Sequence, residues 1–78
     1  MMNKEQLQAR LQGLEQEMEY IEENPLFDYV EFAKFDPEGI IITDKDKLYI
    51  RYYGLRLKFD YYLEKLSLIN YIDDKFNN

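Results

Sequence analysis

The sequence predicts an α+β fold of order α-β-β-β-α, a three-stranded antiparallel meander covered by N- and C-terminal helices. Three observations carry that expectation. Apolar residues near both ends recur at helical spacing. Between them lie three short runs rich in β-branched and aromatic residues. The runs are joined by turn residues too few for a crossover, so the strands are expected to pair antiparallel.

The first helix is expected over residues 4–24. Asn3 followed by Gln6 matches a capping box, in which each side chain satisfies a backbone N–H of the other residue. Leu7, Leu11, Leu14, Met18 and Ile21 then recur at intervals of 4, 3, 4 and 3, which sets them on one stripe. Pro25 pushes Asn24 out of the helical region and closes the element.

Residues 27–35, "FDYVEFAKF", read as the first strand. "DPEG" at 36–39 has the residue preferences of a type I turn. The isoleucine run ending at Thr43 gives a second strand over 39–43. Asp44 to Lys47 form a polar turn, and "LYIRYY" gives a third strand over 47–53. After Gly54 the spacing becomes helical: Leu55, Phe59, Tyr62, Leu63, Leu66 and Ile69 share a face. The last helix is expected over 55–75, although the alternation in "LRLKF" leaves helix and strand both open at 55–59.

All of this fits one domain, residues 1–78, near the lower limit at which a chain buries enough surface to fold alone. At 46% hydrophobic residues it is too apolar for a disordered chain. There is no cysteine, so neither a disulfide framework nor a thiolate metal site is expected. No apolar run reaches the ~18 residues of a membrane span, and residues 1–20 are too polar for a signal peptide. Phe, Tyr, Met, Ile, Asn and Lys total 35 residues, against 10 for Gly, Ala, Arg and Pro. AT-rich codons produce that bias, so a low-GC bacterium or its phage is the expected source, and the lack of cysteine, membrane span and signal peptide makes the cytoplasm the expected compartment.

The chemistry of catalysis is sparse. The chain has no histidine and no cysteine, and its only aliphatic hydroxyls are Thr43 and Ser67. A general base near neutral pH is missing, and Ser67 has no activator at a recognisable spacing. The adjacent acids Glu22 and Glu23, and Asp73 and Asp74, diverge by about 100° on a helix and do not share a site. Asp44 and Asp46 open like a calcium loop, but its sixth and twelfth positions hold Tyr49 and Leu55 instead of Gly and Glu. The expectation is a non-enzyme without metal or cofactor.

Charge and apolar surface suggest binding instead. The net charge is −6. Residues 1–46 carry twelve acids and four bases, and residues 47–78 carry four acids and six bases. Glu15, Glu17, Glu19, Glu22, Glu23, Asp28 and Glu31 run without an intervening base, an acidic face for a protein with a basic, nucleic-acid-binding surface. In general character such an inhibitor is similar to phage anti-defence proteins such as anti-CRISPRs, on size, acidity and composition alone. The leading expectation is therefore a small acidic module that mimics nucleic acid and inhibits or regulates its partner.

Two other readings are set beside it. On the last helix Leu57, Tyr61, Leu68 and Ile72 form a second apolar ridge about 140° from the main stripe, suited to a homo-oligomeric or adaptor subunit. The first helix gives only a weak self-pairing seam, because Arg10 would face Glu15 favourably while Glu17 would face Glu22 unfavourably. Direct nucleic-acid binding through residues 47–66 has aromatics interleaved with Arg51, Arg56, Lys58 and Lys65. The acidity of the whole chain opposes it.

Overall fold

The structure, a computed structural model, describes residues 2–76; Met1, Asn77 and Asn78 of the expected domain lie outside them. Three helices account for its regular structure: α1 (Lys4–Glu22), α2 (Tyr29–Ala33) and α3 (Asp44–Phe76). No strand occurs among the described residues. The α+β meander is therefore overturned, and the fold is an all-helical hairpin.

Helix α1 is built as its sequence implies. Asn3 Oδ1 accepts from Gln6 N at 2.8 Å, and Gln6 Oε1 accepts from Asn3 N at 3.0 Å. Leu7, Leu11, Leu14, Met18 and Ile21 are all buried. The helix ends at Glu22, and Asn24 then caps the turn at Pro25 by accepting the Leu26 N–H at 2.9 Å.

The three expected strands fail for three separate reasons. In 27–35, Asp28 accepts the Glu31 N–H at 3.0 Å and starts the single turn of α2. Its aromatics are used as separate plugs, with Phe27, Phe32 and Phe35 half-buried. In 39–43 the isoleucines have no ladder to join, and β-propensity without a neighbouring strand fixes nothing. Ile40 and Ile42 stand 83% and 72% exposed in the loop. The 36–39 turn does form, with Asp36 O accepting from Gly39 N at 3.1 Å, but it joins α2 to this loop instead of two strands.

The third expected strand, 47–53, is the beginning of α3. Thr43 Oγ1 accepts from Asp46 N at 3.0 Å, and Asp46 Oδ2 accepts from Thr43 N at 3.1 Å. This is a capping box with Asp in the third position. These backbone donors, Thr43 first and Ile42 next, hold the Asp46 carboxyl below the usual range. From there the helix runs for 33 residues through Gly54, about 50 Å at 1.5 Å per residue, and it sets the 51 Å long axis of the molecule. The expected helix 55–75 is thus the later two-thirds of α3, and residues 55–59 are helical.

The two long helices pack antiparallel. Glu22, at the end of α1, meets Tyr52, while Arg10 lies over the Tyr62 ring, 5.9 Å from its centre. That register sets Lys4 near Leu68, so α3 continues about two turns beyond α1. The seam on α3 is Leu48, Tyr52, Leu55, Phe59, Tyr62, Leu66 and Ile69, again alternating 4 and 3. Leu14, Met18, Ile21, Tyr52 and Leu55 form its buried centre, flanked by Phe27, Phe32, Leu48, Phe59 and Tyr62. Leu63, expected in the inner stripe, is exposed instead.

The connecting segment closes one end of the hairpin with rings. Phe27 lies 4.7 Å from Tyr52 and 5.6 Å from Tyr49 between ring centres, and Phe32 meets Tyr52 edge-on at 4.8 Å. Such pairs each add ~0.5–1.5 kcal/mol beyond the area they bury. The cluster takes the place that a sheet was expected to fill.

Candidate interaction surfaces

The seven acids of the expected face do not act as one surface, because three of them hold the fold. Glu22 Oε1 accepts the Tyr52 hydroxyl at 2.7 Å and the Tyr29 hydroxyl as well. Burial first, then this carboxylate, push the Tyr52 hydroxyl up well beyond the usual phenol range. The Tyr29 hydroxyl is pushed up chiefly by its bond to the same carboxylate. Asp28 caps α2. Glu31 pairs with Lys45 and lies 3.4 Å from the Tyr49 hydroxyl. That hydroxyl also accepts the Asp28 N–H at 3.1 Å and donates to Leu26 O at 3.2 Å.

Glu15, Glu17, Glu19 and Glu23 remain exposed. Glu15, Glu19 and Glu23 recur at i+4, so they line one edge of α1, while Glu17 falls on the opposite flank. Glu17 there borders a shallow hollow shared with Met2, Gln6 and Arg10. The acidic signal is thus a single edge of three carboxylates.

The segment 47–66 is likewise divided by the helix. Tyr49 and Tyr52 are buried and Tyr62 is half-buried, which leaves Tyr53 and Tyr61 exposed. Arg56 sits 3.9 Å from Asp60. Arg51, Lys58 and Lys65 recur every seven residues and line one edge, where Lys65 lies 5.0 Å from the centre of the Tyr61 ring. A stacking platform for single strands needs several open rings beside such cations, and most of the tyrosines here are spent on the core.

The apolar ridge is laid out to solvent. Leu57, Tyr61, Leu68 and Ile72 are each between 51% and 55% exposed, and Tyr71 joins them, while the exposed Leu63 lies on another flank of the helix. Ile72 also turns towards the start of α1: with Met2, Leu7, Tyr61, Lys65 and Leu68 it lines a groove of about 600 Å³. Sequence reasoning missed this groove, whose floor depends on the register between α1 and α3. It also missed Ile40–Ile42 as exposed apolar surface, having assigned them to a sheet.

No group of three or more acids, histidines or cysteines is placed to hold a metal ion among the described residues. No helix among them is long and apolar enough to cross a membrane. Comparison of the chain with family models, curated proteins and solved structures finds no match.

Proposed function

We propose that the chain is a non-catalytic protein-interaction module whose contact surface is the outer face of α3. One observation carries the reading: Leu57, Tyr61, Leu68 and Ile72 are all about half exposed along one side of a helix whose other side is already packed. A helix apolar on two faces is normally buried on two faces. With ~200 Å² for a fully exposed side chain of this size, five half-exposed side chains (Tyr71 with these four) leave on the order of 500 Å² of apolar surface, in the upper part of what a monomer displays.

The test is a double charge substitution, Leu57→Glu with Leu68→Glu, compared with the native chain in affinity capture from bacterial lysate. Circular dichroism should show equal helix content, and the variant should lose whatever stoichiometric chain the native protein recovers. A variant that recovers the same chain in the same amount would sink the reading.

A second reading keeps the acidic inhibitor, with Glu15, Glu19 and Glu23 as its contact edge towards a basic, nucleic-acid-binding protein. What favours it is that these three share one edge and take no part in holding the fold. Glu22 is not a suitable probe, since it bonds two tyrosines. Reversing Glu15, Glu19 and Glu23 to Lys should abolish capture of such a partner and its release by salt. Unchanged capture and salt response would remove this version.

A further inference from the structure

We propose that the occupant of the outer face of α3 is a second copy of this chain, packed antiparallel along a second heptad seam. The proposal rests on the reading of that face as a contact surface and names what covers it. Ile50, Gly54, Leu57, Tyr61, Glu64, Leu68 and Tyr71 recur at intervals of 4, 3, 4, 3, 4 and 3. This is the spacing of the inner seam, displaced by two residues, or about 200° around the helix. One helix therefore bears two knobs-into-holes stripes on nearly opposite faces. Only the inner one is filled by α1.

The seam matches itself in one antiparallel register. A two-fold axis passing between Tyr61 and Glu64 sets Leu57 against Leu68 of the second copy, and Leu68 against its Leu57. Gly54 then lies opposite Tyr71 of the second copy, so the largest side chain meets the smallest. Tyr61 lies opposite Glu64 of the second copy, twice by symmetry. A carboxylate inside an apolar seam needs a donor, and the fold already uses this pairing where Tyr52 donates to Glu22 at 2.7 Å. Sliding by one heptad sets Glu64 opposite Gly54 and takes its donor away.

Area agrees with a second copy, and charge defines its signature. The exposed apolar strip, with the flanking stems of Lys58 and Lys65, approaches the ~800 Å² per partner of a stable interface. In this register Lys58 faces Lys65 of the second copy along the rim. Like charges there are screened by salt, so association should tighten as ionic strength rises. Contact between an acidic edge and a basic surface behaves in the opposite way.

The test uses sedimentation equilibrium of the full chain, with and without added salt, and then directed crosslinking. The native chain should dimerise at or below about 100 µM, a modest affinity for a contact of this size. Added salt should lower the dissociation constant, and L57E should raise it about 100-fold with helix content retained. Because the chain has no cysteine, engineered thiols report the register cleanly. A mixture of L57C and L68C chains should oxidise to the mixed dimer, while L57C alone should not crosslink. A native chain that stays monomeric to about 1 mM overturns the proposal, as does ready crosslinking of L57C to itself. A monomeric chain that still loses a captured partner on L57E/L68E substitution would overturn the second copy while leaving the contact face in place.

Discussion

The two faces of α3 have the same spacing and different fates. On the inner face Tyr52 is 2% exposed and bonded to Glu22, and Leu55 packs beside it against Met18 and Ile21. On the outer face Leu57 and Tyr61, two residues further along in each case than Leu55 and Phe59, stand open. Heptad spacing alone therefore says that a face is built to be covered, and the hairpin decides which face its own chain covers. The difference converts into energies. Ile21→Ala or Tyr52→Ala should cost ~2–5 kcal/mol, a large fraction of the about 5–10 kcal/mol that holds such a domain folded. Leu57→Ala should lie within ~0.5 kcal/mol of native in dilute solution, where no second copy is bound. Urea denaturation at low protein concentration measures both. Equal costs on the two faces would mean that the outer seam is covered even in the monomer.

The inner face was legible in the sequence only in part, and the reason is local. The stripe from Leu55 to Ile69 has helical spacing and is helical, yet the same interval continues backwards to Tyr52 and Leu48. Gly54 and the β-branched and aromatic residues around it pointed to a strand end. Intrinsic propensity differs by under ~1 kcal/mol per residue, and tertiary burial overrides it. Two helix-start signals in the sequence point the other way: the capping box of Thr43 with Asp46, and Asp28 as the N-cap that accepts from Glu31 N. Each opens a helix inside a segment assigned to a turn or a strand. The outer ridge was legible because it needs only the helical period. The dispersal of the acidic face was not, since the bonds from Tyr29 and Tyr52 to Glu22 join residues 7 and 30 positions apart.

Tyrosines sharpen the comparison at a smaller scale. Tyr52→Phe removes a hydrogen bond to a carboxylate at the half-buried Glu22 and should cost ~1–2 kcal/mol. Tyr61→Phe, on the outer face, should leave the stability of the dilute chain unchanged. The pH dependence has a definite sign. The hydroxyl of Tyr52 is harder to ionise folded than unfolded, so its contribution is fully present below the unfolded value of 10.0. It is lost as pH rises above that value towards the higher folded one. Native protein and Tyr61→Phe should therefore destabilise together above about pH 10, and Tyr52→Phe should fall less steeply. Denaturation midpoints across that range decide it. Parallel curves for all three would show that the Tyr52–Glu22 bond contributes nothing to folding.

The two helical glycines give the finest comparison, because one lies on α1 and the other in the outer seam of α3. A methyl group added at Gly13 or Gly54 meets nothing within 4 Å. Both lie within regular helix without positive φ, so each costs ~1 kcal/mol relative to alanine. In dilute solution Gly13→Ala and Gly54→Ala should stabilise alike, by ~0.5–1 kcal/mol, seen as a higher urea midpoint. The equality should break as concentration rises. A second copy that seats Tyr71 over Gly54 has less room for the added methyl, so Gly54→Ala should weaken self-association while Gly13→Ala leaves it unchanged. If both alanine variants gain equally at every concentration, Gly54 is only an unoptimised helix position and the register centred between Tyr61 and Glu64 is wrong. The outcome thus separates a glycine kept for packing from one that the helix merely tolerates.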